Sequence, residues 1–503
     1  MPTFGIAPSK TTLPPAPRVQ YHTEPTDKNT IAPVPGAKGA PHMRAGRQVS
    51  FILATHNRHE VVVDTLRRLA APDWVGLPRA NYEVIVVDNA SADGTPDTAA
   101  DLADTVIRRR RNAGSCAKAY GVHQAAGEFI VFLDDDSYPR QGAVLRMIDH
   151  FRADPRLGAA GFTVHLPNGH EEGAALPAVF VGCGVGLRTA ALRAVGGLDP
   201  TFFMQAEEYD LSFRLTAGGW KVEVFNDLAV EHLKTAQARR HARIAFYDIR
   251  NNLRVAARYL PEPYWSVYRQ DWLERYAWLA ARARTRWAHM RGRVAGLARA
   301  LWERPRYQRW RLDHAGCERF LGWRFIHAHL RKLAGEGVRR VLLVDLGKNI
   351  YPFWRAARDT GIDVPAILDD RFAAPGRVYR GTPIVSVAAG LEYAADALVV
   401  SNAGPVHARA TRLRLAKLDA RPVHDWLGLP VVTPTPEEAN SARPFATVDC
   451  RLSIERERLH RRFGVCRVLR SFGPGGLMMA RQVPRRPDGL VPTERMVRWA
   501  RPH

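Results

Sequence analysis

EFIVFLDDDSYPR, residues 128–140, drives a run of apolar residues into three adjacent aspartates, Asp134, Asp135 and Asp136. Like charges held side by side resist ionising together, so such a cluster persists when a cation neutralises it or water solvates it. Side chains alternate along a strand, so Asp134 and Asp136 are expected to share one face while Asp135 looks elsewhere. Two carboxylates on one face suit Mg²⁺ or Mn²⁺, completed by water and substrate phosphates. The plainer alternative is a solvated acidic turn or a helix cap.

Upstream, VSFILATHN and YEVIVVDNAS are two further apolar runs that end in polar turns, and the helix-like EVVVDTLRRLAA and AKAYGVHQAAG lie between the three runs. Strands alternating with helices predict an α/β fold with a mainly parallel sheet covered on both faces. Ligands of such sheets gather at the carboxyl ends of the strands, where all three polar turns fall. Thr55 closes the first run; Asp88 ends the second and is followed by the turn residues Asn89, Ser91, Asp93 and Gly94. RRRRNAGSC, residues 108–116, sets four arginines, Asn112 and Gly114 ahead of a helix, an arrangement suited to phosphate and equally to solvated surface. Within FFMQAEEYDLSFRLTAGGW, residues 202–220, Glu207, Glu208 and Asp210 occupy the first turn of a helix expected to run to about Ala217. The helix dipole favours acids there, and Asp210 can pair with Arg214 one turn on. His232, in AVEHLKT, follows a short strand-like piece.

The chain has 503 residues, 46% of them apolar, enough for two or three domains, and a formal charge of +23. That charge calls for an acidic partner: a nucleic acid, an anionic membrane surface or a phosphorylated substrate. No nucleic-acid motif accompanies it, so nucleic acid is the least expected. Five cysteines with no CxxC pair indicate neither a zinc ribbon nor a disulfide framework and fit a reducing cytosol. The longest apolar stretch, ALPAVFVGCGVGL, is too short and glycine-rich to span a bilayer, and the N-terminus lacks a signal peptide's apolar core. The expectation is a cytoplasmic protein with the option of peripheral contact at the inner face of the cell membrane.

Residues 1–45 read as a disordered, Pro-rich leader, and residues 46–235 as the first α/β domain. Residues 236–335 carry many Arg and Trp on helix-forming sequence, either an amphipathic face for anionic lipid or an ordinary helical subdomain. VRRVLLVDLG, DVPAILDD and ADALVVSNAG restore the alternation, so residues 336–425 form a second, smaller Rossmann-like α/β domain. Its DLGKNIYP has one glycine where a dinucleotide fingerprint has three, and Asp369-Asp370 at its second strand could meet a ribose or simply make a turn. A binding or scaffolding role is expected of it. Residues 426–503 read as a partly ordered tail.

Taken together, ATHNR, VDNASADGT, RNAGSCAKAYGVHQAAGEFIVFLDDD, VGGLDPTFFMQAEEYDLSFRLTAGGW and EHLKT resemble a family 2 glycosyltransferase of the GT-A fold over residues 49 to about 260. The resemblance implies metal-dependent, inverting transfer of a sugar from a UDP, GDP or dTDP sugar to an acceptor hydroxyl, which could be lipid-linked. The pathway it suggests is cell-envelope polysaccharide, glycolipid or secondary-metabolite synthesis. It implies that Thr55 and Asp88 hold the nucleoside, with Asn112 and Gly114 also on the donor side. Asp134 and Asp135 would meet the donor, Asp134 and Asp136 the metal, with Asp136 its more direct ligand and His232 completing the shell. Glu208 matches the base, at a pair that reads Glu-Glu where relatives commonly read Glu-Asp, which leaves Glu207 and Asp210 open as the base. Tyr120 departs from the Asn common in relatives. A nucleotidyltransferase, or a catalytically silent nucleotide-binding scaffold, is the alternative.

Overall fold

A computed structural model of the chain describes residues 47–234 and 241–428, together with the backbone of Gln20–Tyr21. The expected leader and tail lie outside the described residues, apart from that dipeptide and residues 426–428. Ten strands form the first sheet: β1 (Gln20–Tyr21), β2 (Val49–Thr55), β3 (Tyr82–Asp88), β4 (Thr105–Arg108), β5 (Phe129–Asp134), β6 (Ser137–Pro139), β7 (Leu157–His165), β8 (Glu171–Glu172), β9 (Gly184–Arg188) and β10 (Lys221–His232). Their order is β1-β4-β3-β2-β5-β9-β7-β10-β6, with β8 paired to β7. The first five in that order are parallel, and β9 and β6 run antiparallel to their neighbours.

Strict alternation assigns the central strands to two cores. Phe51, Leu53, Val84, Val86, Val131 and Leu133 enter one apolar cluster, while Ile52, Ile85, Val87, Ile130 and Phe132 enter the other. A strand buried on both faces reads as a continuous apolar run, which is why the sequence betrays it. The register pairs Thr55 with Asp88 and Ala54 with Asp134, so β2, β3 and β5 end level and deliver their polar turns to one edge.

The stretch after the sheet folds into the helices His241–Tyr259, Tyr264–Arg282, Arg286–Arg306, His314–Phe320 and Trp323–Gly335. The Arg286 helix packs on the His241 helix through Gly292 and Gly296; a β-carbon at Gly292 would stand 2.3 Å from the carbonyl of Phe246. The second sheet comprises β11 (Val341–Val344), β12 (Ile367–Leu368), β13 (Val378–Tyr379), β14 (Thr382–Val385), β15 (Ala397–Val400) and β16 (Val423–His424), in the order β13-β14-β12-β11-β15-β16. All its pairings are parallel except the β13–β14 hairpin. One apolar cluster runs from Phe202, Tyr209 and Phe213 through Trp272 and Trp323 to Val341, Phe353 and Val399. The helix that carries the candidate base, the helical stretch and one face of the second sheet therefore share a core.

Candidate active site

The acidic turn departs from the expected alternation. β5 stops at Asp134, and Asp135 and Asp136 form the turn into β6, so the period of two no longer applies to them. Asp135 does not look away. It accepts from the Thr55 hydroxyl at 2.8 Å and lies 3.1 Å from Arg58, whose guanidinium also meets Asp136 at 2.9 Å. Asp134 takes the Lys118 ammonium at 2.6 Å and is the open member: its side chain is 38% exposed, against 4% for Asp136. Burial pushes the Asp135 carboxyl up to about 7 against the pull of Arg58 and the Thr55 hydroxyl. Two basic side chains thus offset the like charges that the sequence placed side by side.

His232 stands beside this turn at the end of β10, buried, with Nε2 3.4 Å from Asp136 and Nδ1 3.2 Å from Glu172. Burial disfavours its charged form, but hydrogen bonds to Asp136, Cys183 and Glu172 win and push the imidazole up to about 12. The same contact, led by the His232 hydrogen bond, holds Glu172 down at about 2. Ligand atoms of Asp134, Cys183 and His232 all lie within 4.8 Å of one another, among the described residues the one such group of metal-ligating side chains.

Asp88 is 2% exposed at the end of β3; one carboxylate oxygen accepts the Ser91 amide at 3.2 Å and the other, buried, has no protein partner. A buried orphan acceptor at a strand end is a group that awaits a donor. Asn112 and Gly114 serve the backbone next to it. The Asn112 side chain accepts the Gly114 amide at 2.8 Å, and Gly114, at φ +66°, sits so close to the carbonyl of Phe203 that a β-carbon there would be 2.0 Å away. Of the four arginines, Arg108 pairs with Asp97 at 2.6 Å and Arg109 lies over the ring of Tyr120 at 3.3 Å.

The helix Glu207–Ala217 is entered through Phe203, Gln205 and Ala206, all with φ between 64° and 69°. Such conformations persist only where the surroundings hold them. Here the amide of Asn251 reaches three successive parts of the segment, donating to the carbonyls of Phe202, Met204 and Gln205 at 3.0, 2.7 and 2.8 Å. The result presents Glu207 and Glu208 together, both partly exposed. Glu207 accepts the Ser115 hydroxyl through one oxygen, and its other oxygen is buried without a partner. Burial raises Glu207, and raises Glu208 further because burial is joined by repulsion from Glu207.

Asp210, the third candidate base, is instead part of the core. It is fully buried, 2.6 Å from both Arg214 and Arg258, and accepts the Tyr259 hydroxyl. Arg258 also meets Asp199 at 2.9 Å and Glu303 at 2.8 Å, and Arg254 meets Glu303 at 2.8 Å. Three arginines balance three acids, and both oxygens of Asp210 are engaged, so it has no free oxygen to receive a proton. Sequence reasoning passed over Arg58, though it lies in ATHNR, and missed Lys118, Glu172, Cys183, Ser115 and Asn251. Only the AGSCAKAY stretch, already singled out, held a signal for two of them. Asp369, read as a ribose contact or a turn residue, is the latter: it accepts the amides of Leu346, Arg371 and Phe372 at 2.8, 2.8 and 3.2 Å.

Residues 50–172 match the sequence profile of glycosyl transferase family 2. The poly-beta-1,6-N-acetyl-D-glucosamine synthase of Staphylococcus aureus is 29% identical over 116 residues, 22% of this chain and 27% of that protein. Glycosyltransferase AglE of Haloferax volcanii is 32% identical over 99 residues, 18% of this chain and 32% of that protein. The chain thus spans about a third or less of the length of the curated relatives it matches. Among solved structures, S. aureus TarS 1-349 in complex with UDP-GlcNAc aligns with TM-score 0.40 and 15% identity, over 66% of this chain and 98% of that one. Mannosyltransferase PcManGT from Pyrobaculum calidifontis, in complex with GDP-Man and Mn²⁺, aligns with TM-score 0.35 and 20% identity, over 52% and 78%. The profile match runs from β2 to β8 and contains the acidic turn, in keeping with the GT-A α/β fold expected from the sequence.

Proposed function

We propose that this chain, whose residues 50–172 are a glycosyl transferase family 2 domain, transfers a sugar with inversion from a nucleoside diphosphate sugar to an acceptor hydroxyl. The observation that carries the reading is the level edge of β2, β3 and β5. There the orphan acceptor of Asp88, the open Asp134 and the partly exposed Glu207–Glu208 pair stand among buried basic partners. In this reading Asp88 accepts a hydrogen bond from the nucleoside base, and Thr55 steadies Asp135 beneath the donor. The acceptor oxygen attacks the anomeric carbon from the face opposite the diphosphate, its bond to carbon forming as the bond to the diphosphate breaks. Glu208 takes the proton of that hydroxyl.

Asp134 and His232, whose ligand atoms converge with that of Cys183, and Asp136, 3.4 Å from His232, would hold a divalent cation such as Mn²⁺ or Mg²⁺ once His232 gives up its proton. When bound, such an ion supplies charge to stabilise the departing diphosphate. Calorimetric titration with UDP, GDP and dTDP, each with and without Mn²⁺, tests the site. One nucleotide is expected to bind with a metal requirement that Asp136→Ala abolishes. Binding of none of them to the intact protein would leave the acidic turn a structural feature and sink the reading.

The helix Arg286–Arg306 supports an acceptor held at an anionic membrane. Among the described residues, five of the ten exposed large apolar side chains lie on it: Trp287, Met290, Val294, Leu301 and Trp302. Arg286, Arg291, Arg293, Arg299 and Arg306 are exposed along it too, and its one acid, Glu303, is 1% exposed. Apolar side chains rimmed only by arginine complement a lipid surface that carries negative charge. No described helix is long and apolar enough to cross a membrane, and the contact proposed for this face is a peripheral one. The protein is expected to pellet with vesicles containing phosphatidylglycerol, to be released by salt, and to lose most of its binding in Trp287→Ser/Leu301→Ser/Trp302→Ser. Self-association of the protein without vesicles, or equal binding to pure phosphatidylcholine, would assign the face to another occupant.

A further inference from the structure

The second sheet has the form of a ligand-binding module. β12 and β15 flank β11 on opposite sides, so the strand order reverses at β11, and in open parallel sheets ligands settle beyond the carboxyl ends at such a point. That crevice is filled by the chain itself. Trp272 donates to the carbonyl of Lys348 at 3.0 Å, Arg275 to that of Leu346, and Tyr268 to the side chain of Asn349. Asp271 closes the other side on Arg380 and Tyr379, both at 2.7 Å. The space left among these groups is about 10 Å³, less than a nucleotide needs by orders of magnitude.

The two loops at the reversal point turn to the candidate active site instead. After β11, Lys348 extends its ammonium over the ring of Tyr209, the residue after Glu208, at 3.6 Å and over Trp272 at 4.9 Å, within electrostatic reach of Glu208. After β15, the chain rests on the segment that follows Glu172, the partner of His232. His407 donates to the carbonyl of Gly173 at 3.0 Å, and Gly404 approaches the carbonyl of Ala174 so closely that a β-carbon would stand 2.3 Å from it. The Ala175 amide, next in line, donates to the Tyr209 hydroxyl at 3.0 Å.

We propose that the second α/β domain completes the catalytic centre: it places Lys348 against Tyr209 as a positioning residue that sets the charge of the Glu207–Glu208 pair. This rests on the transferase reading for its consequence, though not for the pairing itself. The groups that act on the pair are Lys348 from the second domain, Asp248 from the His241 helix, Tyr276 from the Tyr264 helix, Ser115, Cys116 and Lys118 from the turns after β4, and Asp134 from β5, while Arg275 acts on Lys348 and Asp248. Burial lowers Lys348, while Glu208 and Asp248 work the other way, and Lys348 in turn draws Glu208 down. A cation that leaves when the carboxylate is neutral, and stays when it is charged, keeps the base ionisable in a site that burial would otherwise hold protonated.

The test compares the wild type, Lys348→Met, Lys348→Arg and Glu208→Gln. Hydrolysis of UDP-GlcNAc, GDP-mannose and dTDP-glucose with Mn²⁺ is followed across pH, and the ammonium of Lys348 is followed by carbon-13 NMR after reductive methylation. Lys348→Met keeps the packing volume and should keep the unfolding midpoint and nucleotide affinity. Loss of the nearby cation raises the carboxyl pKa, so its acidic limb should move to higher pH, with kcat/KM roughly tenfold down near pH 6. Lys348→Arg should restore the limb. In Glu208→Gln the Lys348 resonance should titrate lower still, because a supporting carboxylate is gone. An equal loss at every pH, or a Lys348 resonance that ignores Glu208→Gln, overturns the proposal. If the wild type turns over none of the three donors, the transferase reading fails for them and the NMR arm alone decides the pairing.

Discussion

Glu208→Gln is expected to lower turnover by roughly 10²–10⁴-fold, the usual worth of a positioned general base, while nucleotide affinity stays at the wild-type value. Steady-state rates and calorimetry on the same preparation check both halves. A base must be ionised to accept the acceptor's proton, and Glu208 is held above the ordinary carboxylate range by burial and then by Glu207. The wild-type rate should therefore fall as pH drops through that raised value, and the limb should vanish from the residual activity of Glu208→Gln. Glu207→Gln removes the like charge, so its limb should move to lower pH. A Glu208→Gln enzyme with near-wild-type turnover would transfer the role to Glu207, whose second oxygen is unpartnered.

Arg258→Met should cost about 3–5 kcal/mol of folding stability, because it leaves buried acids without their cation. Arg258 is 2% exposed and touches Asp199, Asp210 and Glu303 at once. Chemical denaturation monitored by tryptophan fluorescence gives the loss, and Arg299→Met, at a residue 52% exposed and 4.0 Å from Glu303, serves as the near-neutral comparison. The pH dependence has a definite sign. Burial raises Asp199 and Asp210, but the arginines prevail and both carboxyls lie below their ordinary range. Their contribution is present above the unfolded carboxylate pKa near about 4 and is lost as pH falls through the lower folded values. Wild-type stability should decline steeply in acid, and Arg258→Met should show a shallower decline from a lower plateau.

What the sequence made legible follows from how far each signal reaches. β2, β3 and β5 were plain because strands buried on both faces read as near-continuous apolar runs, broken inside only by Ser50 and Glu83, and the acids that end β3 and β5 were plain because each stands where its run gives way to a polar turn. The partners of those acids were not. Arg58 and Thr55 reach Asp135 across about eighty residues, and Lys118 reaches Asp134 from a helix whose only visible feature is its small residues. The alternation argument missed Asp135 for a local reason, since the strand ends at Asp134 and the turn that follows holds the other two. Asp210 shows the reverse case. Its pairing with Arg214 was visible as an i, i+4 spacing, but Arg258 and Tyr259 lie 48 and 49 residues on, and only their arrival decides that Asp210 is structural. Lys348 sits in a glycine-poor loop that looked like a failed dinucleotide motif, and nothing local links it to Glu208.

The close passage of Gly404 over Ala174 bears on how this chain can be re-engineered. Residues 46–235 look in the sequence like a cassette that could be exchanged with a relative to change the sugar transferred. Yet a graft ending at residue 235 would bring a foreign loop under Gly404 and His407, and a foreign aromatic under Lys348, at distances that tolerate no extra atom. The workable unit of exchange is the whole of residues 47–428, with the loop at 171–175 and the turns at 345–350 and 401–407 moved as one matched set.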